Sequence, residues 1–209
     1  MASEASTKSQ PPVLPAERDD TAYHSAWTDW AKRAPGQKLT ADKERYTKIC
    51  ADVIDQFVRD GLIARENSRK AFEVLLLTAH RESDFNPHAK NPRSTATGML
   101  QQITTFHQRS RLNSASARNV LLTVEQRTDV ATASTLFLRQ LVCTKDWDKL
   151  KICDAAYEVQ KFHPADMHRF DDPTITREVT CLAGAMYPKQ ASMTHNEAYS
   201  PLERAPRRT

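Results

Sequence analysis

The sequence predicts a mainly helical domain with flexible termini, on three observations. From about residue 40 to residue 187, apolar residues recur at the 3.6-residue spacing of amphipathic helices. No sustained alternation of apolar and polar residues argues for a sheet. Both ends are rich in Ser, Pro, Ala and charge, a composition too poor in apolar surface to offset the entropy of ordering. These set a flexible arm at 1–33, a folded domain at 34–187 and a flexible basic tail at 188–209. At 209 residues the chain has room for one medium domain whose core needs no disulfide or metal staple.

In chain order, Trp27 and Trp30 mark a short docking segment within the arm. The first helix starts after Thr40 as N-cap, carries Tyr46, Ile49, Val53, Ile54 and Phe57 on one face, and stops at Gly61. The second starts at Asn67 or Ser68. Phe72, Val74, Leu75, Leu76 and Leu77 make it apolar nearly all round, which puts it at the centre of the domain. It ends at about Ser83, because Pro87 pushes Asn86 out of helical geometry. A loop leads to a short helix at 99–109. Thr123 and Gln126 form a capping box for a helix with Val130, Ala133, Phe137 and Leu141 on its inner face. Another spans 147–162, with Ile152, Ala155, Ala156 and Val159 inward. The last opens on Asp172 as N-cap with Pro173 at the first helical position, and buries Ile175, Val179, Leu182 and Met186.

Composition removes several classes of function. The net charge of +4 is mild and partly carried by Arg204, Arg207 and Arg208, without the basic stripe and interleaved aromatics expected of a nucleic-acid binder. Four glycines leave little material for phosphate-cradling loops. The longest apolar run, 74–77, is far short of the ~18 residues that span a bilayer, so no membrane span is expected. Cys50, Cys143, Cys153 and Cys181 lack the spacing of a zinc site and are read as buried thiols. None of the seven histidines stands in a His-x-x-x-His pair, so neither metal nor cofactor is expected.

One carboxylate has a position that suits chemistry. Glu82 falls in the last turn of the apolar helix, where the negative end of the helix dipole and low-dielectric packing both disfavour its ionised form. A carboxylic acid that keeps its proton near neutral pH can protonate a leaving sugar oxygen as its glycosidic bond breaks. Position alone also fits an ordinary solvated helix end.

The surrounding residues decide between these readings. Arg81-Glu82-Ser83-Asp84-Phe85-Asn86-Pro87-His88-Ala89 is followed by Asn91, Ser94 and Gly98-Met99-Leu100-Gln101-Gln102. This segment resembles the lysozyme-like soluble lytic transglycosylases, in which a Glu-Ser pair ends the catalytic helix, a Phe-Asn-Pro-x-Ala turn follows, and a Gly-hydrophobic-hydrophobic-Gln segment lines the cleft. Its closest likeness is to the actinobacterial and phage variants. A looser similarity continues through Ala155-Ala156-Tyr157-Glu158-Val159-Gln160 and the segment 164–170, so the resemblance covers roughly 66–170. Thr97 before the glycine and Glu158, where many members carry Asn, depart from the family pattern.

The resemblance implies a lysozyme-like fold and an enzyme that cuts the MurNAc-GlcNAc β-1,4 bond of peptidoglycan glycan strands, with Glu82 as its single acid/base. It also implies Ser83, Gln101, Gln102, Tyr157 and Gln160 as substrate-binding residues, although each has a structural alternative as cap, surface amide or core ring. No second carboxylate stands out, and Asp84 reads as a turn or capping residue. His80 reads as a packing residue. The alternative function is a non-catalytic glycan-binding virion protein, with the aromatic arm as a candidate dock for other virion proteins. The first twenty residues hold no apolar run that could serve as a Sec signal. The expected location is therefore a phage virion, or the host cytoplasm before release, with action at the cell wall.

Overall fold

The computed structural model describes residues 18–108, 118–161 and 164–188. Along them lie α1 (Asp20–Arg33), α2 (Ala41–Arg59), α3 (Ser68–Ser83), β1 (Thr105–Gln108), β2 (Arg118–Leu121), α4 (Val124–Thr128), α5 (Val130–Leu141), α6 (Ile152–Gln160), α7 (Met167–Phe170) and α8 (Pro173–Met186). Residues 1–17 of the expected arm, and all of the expected tail after Pro188, lie outside the described residues.

The central helix is where its sequence puts it. Phe72, Val74, Leu75, Leu76, Leu77 and Ala79 of α3 are fully buried, and α2, α5, α6, α7 and α8 all pack on this helix. Three other helix starts follow from their caps. The Thr40 hydroxyl accepts from the Lys43 amide, Thr123 and Gln126 close a reciprocal capping box, and Asp172 caps α8 ahead of Pro173.

Several expectations are corrected. The arm does not extend to residue 33: 20–33 is the helix α1, capped by the Asp19 carboxylate, and it packs along α8. Tyr23, Trp27 and Trp30 stand four and three residues apart, on one helical face, and are 0%, 3% and 2% exposed, so they belong to the core. In place of a helix at 99–109, the chain makes a turn at 98–101 and then pairs β1 with β2 antiparallel, Thr105 opposite Leu121; residue 109 lies outside the described residues. Strands of four residues are too short to print an alternating pattern, and Leu121, 74% exposed, marks no buried face.

The helix expected after Thr123 is broken at Asp129, whose extended backbone ends α4 while its carboxylate caps α5 through the Thr132 amide. The one expected at 147–162 starts only at Ile152. Before it, Asp146 takes a left-handed conformation (φ 52°) and its carbonyl and carboxylate close a turn onto Lys149; Phe162 lies outside the described residues. Cys50 and Cys153 are buried thiols as expected, whereas Cys143 is half-buried and Cys181 exposed. Burial pushes the Cys50 thiol up to about 12. No described helix is long and apolar enough to cross a membrane.

Candidate active site

Glu82 occupies the final turn of α3, and the chain reverses immediately behind it. The Asp84 amide donates to the His80 carbonyl (2.9 Å) and the Phe85 amide to the Ala79 carbonyl (3.1 Å), a Schellman-type closure. Asp84 stands at the left-handed position that glycine usually takes (φ 52°), and Phe85 is left-handed as well (φ 60°). Asp84 is thus the cap that its position suggested, and its carboxylate pairs with Lys43.

The segment 98–102 is held across from this turn by its own carbonyls. Ser83 Oγ donates to the Met99 carbonyl (2.8 Å), Gln160 Nε2 to that of Leu100 (2.8 Å), Gln101 Nε2 to that of Gly98 (3.0 Å), and the Arg127 guanidinium to that of Gln102 (3.3 Å). Gly98 is required at its place. Its φ is +85°, and a Cβ there would stand 1.8 Å from the Arg127 carbonyl oxygen.

A second wall comes from the short helix α7 and the 3-10 turn Pro164–Asp166 before it. Arg169 donates to the Arg81 carbonyl (3.1 Å), and Arg81 pairs with Asp172, the cap of α8, at 2.8 Å. The turn and α7 bring two charges, Asp166 and Arg169, near Glu82. Burial pushes its carboxyl up to about 7, with the Arg169 cation opposing the shift and the Asp166 carboxylate adding to it. Among the described residues no group donates a hydrogen bond to the Glu82 carboxyl. What the site offers is a half-buried carboxylic acid that holds its proton near neutrality, with no partner among the described residues competing for it.

The structure brings Ser83, Gln101, Gln102 and Gln160 to this segment, but engages them in scaffolding. Ser83 Oγ also accepts from the Asn86 amide (3.0 Å), so its hydroxyl joins the end of α3 to both following loops. The side-chain nitrogens of Gln101 and Gln160 are taken by backbone carbonyls, and their amide oxygens accept no hydrogen bond among the described residues. Gln102 is corrected: it is only 5% exposed and its amide donates to the Ala133 carbonyl, so it braces the segment against α5 and does not face a substrate. The Tyr157 ring is half-buried and carries the Lys161 ammonium 5.4 Å from its centroid. His80 is a packing residue as expected, its ring 5.5 Å from those of Trp30 and Phe85.

Arg127, Asp166 and Arg169 were not singled out from the sequence. No local pattern distinguishes them from surface charges, because their roles come from contacts made across 25 residues or more. Among the described residues no cluster of three His, Cys, Asp or Glu side chains is placed to hold a metal ion.

Residues 63–157 match the family model described as the Transglycosylase SLT domain. This stretch runs from just before α3 through Glu82, the 98–102 segment and the hairpin to Tyr157 in α6, so the similarity covers Glu82 and the 98–102 segment but not Gln160, Asp166 or Arg169. With it, the architecture is a mainly α, lysozyme-like fold of the SLT type. No curated protein and no solved structure matches the chain.

Proposed function

We propose that the chain is a peptidoglycan lytic transglycosylase that cleaves the MurNAc-GlcNAc β-1,4 bond with Glu82 as its single general acid/base. The observation that carries this reading is the Glu82 carboxyl, raised to about 7 by burial and accepting no hydrogen bond among the described residues. The match of 63–157 to the Transglycosylase SLT domain supports it, and makes peptidoglycan the substrate class.

In this mechanism protonated Glu82 gives its proton to the departing GlcNAc O4 as the bond to the muramyl C1 breaks. The neighbouring N-acetyl oxygen of the substrate closes on C1 and carries the positive charge. Glu82, now a carboxylate, takes the proton of the muramyl C6 hydroxyl, whose oxygen attacks C1 and releases the acetamido group. The product is a 1,6-anhydromuramyl end, the proton lost in the first step is recovered in the second, and no second carboxylate is needed. Arg169 favours the ionised state that Glu82 holds between the two steps, whereas Asp166 favours the protonated state in which it starts. The amide oxygens of Gln101 and Gln160, which accept no hydrogen bond among the described residues, are acceptors for sugar hydroxyl or acetamido N–H groups.

The test is to incubate wild type and Glu82→Gln with purified sacculi and to identify released muropeptides by mass spectrometry. Wild type is expected to release 1,6-anhydromuramyl products, and the variant to lose about 10²–10⁴-fold in rate, the usual value of a general acid/base. Reducing muramyl ends would assign water as the acceptor and make the enzyme a muramidase. Release of nothing by either protein, with both bound to sacculi, would replace catalysis by glycan binding.

A further inference from the structure

The turn behind Glu82 contains two consecutive left-handed residues that are not glycine, Asp84 and Phe85. Such conformations are unfavourable for residues with a Cβ and persist only where the surroundings over-determine them. Phe85 is fully buried in a cluster of rings. Trp27 lies 5.6 Å from it, Trp30 stands edge-on at 6.1 Å and 87°, and His80 lies at 5.5 Å. Trp30 also covers His80 at 5.5 Å and 30°. Neither ring nitrogen of His80 has a hydrogen-bond partner among the described residues, so the imidazole serves this cluster as a neutral ring.

Two of the three rings that hold Phe85 thus belong to α1, which lies outside the stretch 63–157 that matches the Transglycosylase SLT domain. The helix is itself anchored at its start. Arg18 pairs with Asp52 and Asp55 of α2, and the Asp19 amide donates to the Met186 carbonyl at the end of α8 (3.1 Å).

We propose that α1 is a positioning element for the catalytic carboxyl: Trp27 and Trp30 clamp Phe85 in the left-handed turn that folds the chain back against the last turn of α3, and so keep Glu82 in its desolvated place. The rings do not touch substrate; they act through Phe85. The role of Glu82 as the acid rests on the function proposed above, whereas its placement by α1 can be measured without any turnover.

The experiment titrates the full-length chain, with glutamate side-chain carboxyls labelled with 13C, by NMR. Glu82→Gln assigns the resonance. Wild type, Trp30→Phe, Trp30→Leu and Phe137→Leu are compared, each with its thermal melt. Phe137 is a buried ring of α5 that makes no ring contact with this cluster among the described residues, so its variant shows what loss of core packing alone does. Trp30→Leu is expected to let water reach the carboxyl and lower its titration midpoint by about one unit or more. Trp30→Phe, which keeps a ring, should restore most of the shift, and Phe137→Leu should lower the melting temperature with the midpoint unmoved.

A wild-type midpoint retained in folded Trp30→Leu, or an equal fall in Phe137→Leu, would overturn the proposal. If Trp30→Leu does not fold, the double variant Trp27→Phe/Trp30→Phe carries the test, with a smaller fall expected and an unchanged midpoint overturning it. A midpoint that falls in Trp30→Leu while wild type releases nothing from sacculi would keep the positioning and discard the transglycosylase.

Discussion

Glu82 and His80 lie two residues apart at the end of α3, and burial moves their titrations in opposite directions. The carboxyl is raised from its ordinary 4.5 to about 7, and the imidazole is lowered from its ordinary 6.5 to about 4. Each displacement is a statement about stability. Between 4.5 and about 7 the folded state keeps on Glu82 a proton that the unfolded chain gives up, so stability is lost as pH rises through that window. Between about 4 and 6.5 the unfolded chain binds at His80 a proton that the folded state refuses, so stability is gained as pH rises. Each term amounts to about 3 kcal/mol, and over their shared range they nearly cancel. Glu82→Gln removes one of them. Urea unfolding of the variant and wild type at a series of pH values should show the variant gaining about 3 kcal/mol relative to wild type between pH 4.5 and 7. A constant difference would mean that the carboxyl is not desolvated. In the proposed mechanism activity depends on the same group: kcat should fall as pH rises through about 7, where the proton needed by the leaving group is lost.

At the scale of elements, the segment 98–102 joins three parts of the fold through a close approach at Gly98. Any side chain there would meet the Arg127 carbonyl at 1.8 Å, and the φ of +85° adds a penalty of its own. Gly98→Ala should therefore cost about 2–4 kcal/mol in urea unfolding and lower kcat on sacculi by more than the melt alone explains. A loss under about 1 kcal/mol would show that α4 can move aside. The elements also show what sequence can and cannot display. The ends of α2 and α3 and the start of α8 were legible because local chemistry sets them: Thr40, Gly61, Asp172 and Pro173 act on their own neighbours. Glu82 was legible because a helix end and the motif after it coincide. The hairpin was not, because four-residue strands carry too little pattern. Nor were the roles of Ser83, Gln102 and Gln160. Whether an amide meets a sugar or a carbonyl is decided by tertiary contact, and Gln160 reaches Leu100 across 60 residues. A usable signal was present in α1, since Tyr23, Trp27 and Trp30 fall at helical spacing and define an apolar face.

For the whole molecule, that face decides where the folding unit begins. Tyr23 meets Phe72 at 5.9 Å, Phe72 meets Tyr187 at 5.6 Å, and the Tyr187 hydroxyl reaches back to Asp55, so α1 closes a core that α2, α3 and the end of α8 build together. A fragment of residues 34–188 would leave Phe72, Phe85 and His80 without the three rings that cover them. Loss of one buried aromatic ring costs about 3–5 kcal/mol. Loss of three approaches or exceeds the ~5–15 kcal/mol that holds a typical domain together. The fragment 34–188 is therefore expected to lack near-UV circular dichroism and a cooperative thermal transition, whereas 18–188 should melt within a few degrees of the full chain. The comparison separates two architectures. If 34–188 melted cooperatively and kept a Glu82 titration near 7, α1 would be an appendage and the folding unit would begin at residue 34. If it melted cooperatively with Glu82 titrating as an ordinary carboxyl, the core would stand without α1 while the site would not. In that outcome folding and catalysis would depend on different parts of one chain.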